Sequence, residues 1–200
     1  MKIFSIEFAK LAALPVAAFS LVVLASNILV QYPVRALHLD EVLTYGAFSY
    51  PFAFLVTDIT NRRFGAPLTR RIIGCGFVVA VILSLYFATP RIAAASGLAF
   101  FLANLLDVQI FERLRDKAWW LPPLGSSIMS SALDTVLFFS IAFMGDAMMS
   151  APVGLFGTTV PLWVKLGVFD YLIKLAMAGL MIFPYAATLP FLRAAKNAVH

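Results

Sequence analysis

From Leu11 to Val30 the chain runs for 20 residues without a charged side chain. A helix of about that length crosses a hydrocarbon core roughly 30 Å thick. Comparable apolar runs recur, and spans are predicted over residues 11–30, 42–60, 72–89, 92–111, 127–144 and 163–188. The composition agrees: 62% of residues are apolar and 12% charged, against about half and about a quarter in soluble domains. The sequence therefore predicts an all-α, polytopic membrane protein, one domain over residues 1–200 built as a six-helix bundle. Loops this short leave no room for a soluble catalytic domain. The first run is too long for a signal-peptide core and has no small-residue cleavage site before Gln31, so it is read as a retained helix.

The net charge of +5 is read by position rather than as a nucleic-acid-binding patch. Lys2 and Lys10 precede the first span. Arg62, Arg63, Arg70 and Arg71 are expected between the second and third, Arg113, Arg115 and Lys117 after the fourth, and Arg193 and Lys196 after the sixth. Eleven of the 15 basic residues thus fall on one side, with Arg35 and Arg91 on the other and Lys165 and Lys174 inside the last span. Because cytoplasmic flanks carry the excess of Lys and Arg, both termini are expected in the cytoplasm. Trp119 and Trp120 suit a headgroup-level anchor, although packing alone also explains them. Cys75 has no cysteine partner and is expected to be a small buried apolar residue. Ala9, Ala13 and Ala17 form a small-residue ladder on the first span, read first as internal packing and second as a docking face.

The spans hold polar residues that cost free energy at membrane depth and so should face a bundle interior or a wet cavity. On the fourth, Phe100, Asn104, Asp107 and Phe111 share one helical face, and Gln109 lies well round from it. The fifth carries Ser127, Ser130, Ser131 and Asp134 at the same spacing. The second places Tyr50, Phe54 and Asp58 on one face beside Pro51. Counting about 1.5 Å per residue puts Asn104 and Asp134 at similar depths, with Lys174 nearer the midplane. Two pairings stay open: Lys174 with Asp170 four residues before it, or with Asp134; and Asp58 with Arg62 or Arg63, or with a site. Carboxylates, amides, hydroxyls and aromatic walls suit a small flat polar solute such as a guanine-like base, whose ring N–H and exocyclic amine one carboxylate accepts together.

Four segments, Pro51–Gly65, Ser96–Arg115, Trp119–Phe139 and Val168–Gly179, resemble the bacterial queuosine-precursor transporter family of the vitamin-uptake transporter group. The resemblance covers most of the chain beyond the first span. It implies multi-pass residence in the bacterial inner membrane and import of 7-deazaguanine bases, such as 7-cyano-7-deazaguanine and its aminomethyl relative, for queuosine salvage in transfer RNA. By it, Asp58, Asp107, Asp134, Asp170 and Lys174 occupy the family's intramembrane polar motifs. The expected substrate-binding set is Phe54, Asp58, Phe100, Asn104, Asp107, Ser131, Asp134, Asp170 and Lys174. In it Asp134 or Asp107 accepts the donor edge, Asn104 and Ser131 meet the other heteroatoms, and Phe54 or Phe100 stacks. No cofactor, metal or direct nucleic-acid contact is expected, the partners being the base, the lipid bilayer and a second copy in a homodimer. The competing transport reading is a substrate-binding subunit of an energy-coupling-factor complex carrying a different small polar solute. An intramembrane enzyme has little support: His38 and His200 lie outside the spans, and neither H-E-x-x-H nor G-x-S-x-G occurs.

Overall fold

The computed structural model describes residues 6–29, 32, 34, 45–87 and 90–197. Six helices appear among them: α1 (Ile6–Leu29), α2 (Gly46–Phe64), α3 (Ala66–Phe87), α4 (Pro90–Leu114), α5 (Leu121–Phe143) and α6 (Leu162–Asn197). Strands β1 (Pro152–Leu155) and β2 (Thr158–Pro161) form an antiparallel hairpin between α5 and α6. Segments Pro90–Leu114, Leu121–Phe143 and Leu162–Leu192 are each long and apolar enough to cross a membrane. Lys2, Val30, Arg35, His38, Ala88, Thr89, His200 and residues 42–44 of the expected second span lie outside the described residues, as do the side chains of Ala9, Lys10, Tyr50, Arg193 and Lys196.

Helix boundaries depart from the expected ones where short-range chemistry decides them. The four arginines expected in a loop sit instead on the helix ends either side of Gly65: α2 runs on through Arg62 and Arg63, and α3 begins before Arg70 and Arg71. Gly65 alone makes the turn, at φ 82°, and its N–H donates to the Asn61 carbonyl at 2.9 Å. The positive φ favours a residue without a Cβ. Helix α5 starts six residues before the expected span, because Pro122 and Pro123 occupy its first turn, where a missing N–H costs nothing. The hairpin was not anticipated. Its two central residues, Phe156 and Gly157, both have positive φ, 47° and 85°, the conformation of a tight two-residue turn.

Helix α2 packs against each of the other five helices. It is also the helix with Thr57, Asp58, Thr60 and Asn61 in succession, all of them buried. Large apolar side chains face outward instead, among them Leu14, Leu21, Ile82, Leu102, Val136 and Phe183. This inversion of the soluble pattern is what a lipid solvent demands. An apolar core joins Phe19 and Val23 of α1, Ala53 of α2, Ile72 and Ile73 of α3, and Phe100 and Val108 of α4. Helices α4 and α5 run antiparallel along their length. Arg91 at the start of α4 donates to the Ile141 and Met144 carbonyls at the far end of α5, at 2.9 and 2.6 Å, capping it.

Two expectations are corrected here, and one open alternative is narrowed. Cys75 is exposed rather than buried, because it lies on the outward side of α3. Ala13 and Ala17 also face outward, so the alanine ladder does not pack inside the bundle, where Phe19 and Val23 of the same helix lie. Trp119 and Trp120 are exposed after α4, which favours the anchoring reading over packing.

Close approach of α1 to α3 gives the first prediction. A Cβ at Gly76 would stand 2.2 Å from Cδ1 of the buried Phe19, whose ring already rests on Phe100 at 5.4 Å between centroids. Gly76→Ala should cost about 1–3 kcal/mol, read as a lowered melting temperature in detergent. Gly74→Ala, with nothing within 4 Å of the new atom, should not lower it.

Candidate functional site

The expected polar residues gather in two clusters along one face of α5. In the first, α2, α4 and α5 meet around Asp58 and Asp107, which lie within hydrogen-bonding reach of one another. Ser130 Oγ lies 3.2 Å from Asp107 Oδ1 and 2.6 Å from the Ser126 carbonyl, either of which can take its single hydrogen, and Thr57 Oγ1 reaches Asp107 Oδ2 at 3.4 Å. Ser126 completes the group from the second turn of α5, in contact with both acids. Among the described residues, no lysine, arginine or histidine forms an ion pair with either acid. The alternative pairing of Asp58 with Arg62 or Arg63 is therefore not the one formed: Arg62 donates to the Arg115 carbonyl at 3.0 Å, and Arg63 lies over the Phe64 ring.

The second cluster joins α5 to α6. Lys174 Nζ meets Asp134 Oδ2 at 2.7 Å, Asp170 Oδ2 at 2.5 Å and Thr135 Oγ1 at 3.2 Å. The Thr135 hydroxyl in turn donates to Asp170 Oδ2 at 2.8 Å. Both pairings left open for Lys174 are thus made at once. Three ammonium hydrogens meet three acceptors, which offsets a desolvation cost of several kcal/mol per buried ion.

The clusters are neighbours. Asp134 follows Ser130 by four residues, one turn or about 6 Å further along α5. Because α4 runs the other way, Asn104, three residues before Asp107, is displaced in the same direction. This register puts Asn104 and Asp134 at similar depth, as the residue count anticipates, but no hydrogen bond joins them. Asn104 Nδ2 donates to the Phe100 carbonyl at 2.8 Å, while its Oδ1 is buried with no donor. Asp58 Oδ1 is likewise buried and without a donor. Phe54 and Ser131 are buried within the bundle. Phe100 is turned into the apolar core against Phe19, away from the role of a stacking wall.

Thr57, Ser126, Thr135 and Tyr185 belong to the site although the sequence reading passed over them. Ser126 and Ser130 share a face at four-residue spacing, a usable signal for the first cluster. Nothing local marks Tyr185, which α6 buries completely with its ring edge-on to Phe111 at 6.4 Å. Below the acid pair, at the C-terminal ends of α2 and α4, the two helices cap each other. Arg115 Nη2 donates to the Asn61 carbonyl at 2.7 Å, and Arg62 returns the contact to the Arg115 carbonyl. Glu112 holds the Arg115 guanidinium in place.

Acids, an amide and hydroxyls carried to the centre of an apolar-surfaced helical bundle, with acceptors that no donor among the described residues reaches, define a membrane protein of the transporter class. The chain belongs to the family described as "Putative vitamin uptake transporter", which matches residues 44–89 and 85–188. It is 36% identical to the "Queuosine precursor transporter" of Escherichia coli (strain K12), over 82% of this chain and 79% of that protein. It is 35% identical to the "Probable queuosine precursor transporter" of Haemophilus influenzae (strain ATCC 51907 / DSM 11121 / KW20 / Rd), over 70% and 66%. A protein of the same description from Bacillus subtilis (strain 168) is 26% identical, over 72% and 69%. No solved structure matches the chain significantly.

Removing Lys174 should expose what the second cluster does. Lys174→Met leaves two buried acids without their cation and should cost about 3–5 kcal/mol, seen as loss of monodisperse protein in detergent. Adding Asp134→Asn and Asp170→Asn should recover most of that yield. An unchanged melting temperature in the single variant would contradict the assigned pairing.

Proposed function

We propose that this chain imports queuosine precursors, 7-deazaguanine bases such as 7-cyano-7-deazaguanine and 7-aminomethyl-7-deazaguanine, across the bacterial inner membrane. It does so as a six-span bundle with both termini in the cytoplasm. The orientation rests on the clustering of arginines at the α2–α3 turn and at the end of α4. The substrate class rests on the relatives' names together with the chemistry of the bundle centre.

The observation that carries the reading is the pair of buried, donorless acceptors, Asp58 Oδ1 and Asn104 Oδ1. A buried polar atom without a partner costs about 1–3 kcal/mol, so its retention favours a ligand that brings donors. A guanine-type edge brings an adjacent ring N–H and amine. In this arrangement Asp58 and Asn104 receive the donor edge, Asp107 and Ser131 meet the remaining heteroatoms, and Phe54 supplies the apolar wall. Asp134, Asp170 and Lys174 form the polar boundary on the α6 side. The mutual cap of Arg62 and Arg115 closes the cytoplasmic end below them.

A second reading, the substrate-binding subunit of a multi-component uptake complex, draws on the outward-facing Ala13 and Ala17, which leave α1 open to close helix approach. Uptake by liposomes holding this purified protein and nothing else separates the two, since a subunit would need its partners.

Expression in a strain unable to make deazaguanine precursors should restore queuosine in its transfer RNA at nanomolar external base. Asn104→Leu should lower base uptake about tenfold, the equivalent of one lost hydrogen bond to a buried group, with folded yield kept. Failure of well-expressed wild-type protein to restore queuosine would remove the substrate assignment.

A further inference from the structure

The acid pair differs from the lysine cluster in one respect: among the described residues, no cation meets its charge. Asp58 and Asp107 are both essentially inaccessible, 2% and 0% exposed. They touch each other, and Thr57, Ser126 and Ser130 approach them with hydroxyls. Carboxylates only accept hydrogen bonds. Two carboxyl groups in hydrogen-bonding contact therefore hold that contact with a proton between them, and like charges at this distance in a bilayer interior give the same answer. The described surroundings offer nothing else to neutralise the pair. From α6 the buried Tyr185 is the titratable neighbour, and α1 and α3 contribute Phe19, Val23, Ile72 and Ile73 to the adjoining core. Arg62 lies one turn beyond Asp58 and Arg115 about two turns beyond Asp107, both engaged with backbone carbonyls. Lys174 is held by Asp134 and Asp170.

We propose that Asp58 and Asp107 form the proton-carrying site of this transporter, holding one proton between them that is taken up and released once per cycle, so that a neutral base and one proton enter together. The proposal rests on the import reading above and adds its driving force. The position fits that task. Asp58 Oδ1 is buried without a donor and is the atom against which the base is placed above, so loss of the shared proton leaves two buried carboxylates beside the substrate edge. Ser130 ties Asp107 to the α5 face that continues to Asp134 one turn on. The hydroxyls of Thr57, Ser126 and Ser130 can rotate to donate to whichever carboxyl oxygen the proton leaves.

The test uses purified wild-type protein in liposomes containing a trapped pH indicator, with membrane potential clamped at zero and 7-cyano-7-deazaguanine as the probe, because it carries no charge of its own. An acid-outside gradient of one pH unit should drive about tenfold accumulation of the base, the equivalent of one proton per molecule. Adding base without a gradient should acidify the lumen, and a protonophore should abolish accumulation. Base that enters but ignores the gradient would overturn the proton site while leaving the import reading intact. If no base enters, the import reading fails, and infrared spectroscopy decides the pair independently. Wild-type protein at neutral pH should show a carboxylic-acid C=O band that Asp58→Asn and Asp107→Asn each shift and that the double variant removes. A spectrum without that band overturns the proposal whether or not the variants fold.

Discussion

A polar group inside a lipid bilayer has no bulk water to fall back on, so each one must find a protein partner, a trapped water or a ligand. That constraint arranges this molecule. Helix α2, which touches all five others, buries Thr57, Asp58, Thr60 and Asn61, and α5 buries six more polar side chains against α2, α4 and α6, so the polar side chains collect at the bundle centre. Thr57 and Thr60 first turn inward on their own helix, donating to the Phe54 and Val56 carbonyls at 2.9 and 2.6 Å. Asp58 and Asn61 have no such local solution, and they recruit α4 and α5.

The two polar clusters answer the same constraint differently. Around Lys174 the protein satisfies itself: ammonium, two carboxyls and a threonine hydroxyl close a network between α5 and α6. Such a network fixes how the two helices meet and leaves little for a ligand to add. Around Asp58 and Asn104 satisfaction is incomplete, and acceptors remain on buried atoms. A self-satisfied brace beside an unsatisfied centre is a reasonable division of labour for a carrier. One part sets the packing, and the other keeps buried acceptors without donors.

Much of this was legible beforehand. Apolar runs located all six helices, and the spacing of Asn104, Asp107, Ser130 and Asp134 put the right residues on inward faces, since helical period and the cost of polar exposure to lipid are both local properties of sequence. Partner choice was not legible. Asp58 has Arg62 and Arg63 within one turn, yet it meets Asp107, because Arg62 goes to the end of α4 instead. Phe100 has the spacing of a site residue but points its ring at Phe19 of α1, a contact fixed by the close approach of α1 to α3 over Gly76. Cys75 and the alanine ladder reversed their expected faces for a related reason: in lipid, small and apolar residues gain nothing from burial that an outward face does not also offer. The hairpin escaped because Phe156–Gly157 carries only half of the usual turn signature.

The central claim is that the donorless acceptors at the meeting of α2 and α4 receive the base. A cryo-electron microscopy structure of the protein with 7-cyano-7-deazaguanine bound tests it most directly. The account predicts a flat density with its donor edge against Asp58 Oδ1 and Asn104 Oδ1, level with Ser131 and above the Arg62–Arg115 cap. A base seated elsewhere, with those two oxygens closed off by protein groups or ordered water, would contradict it.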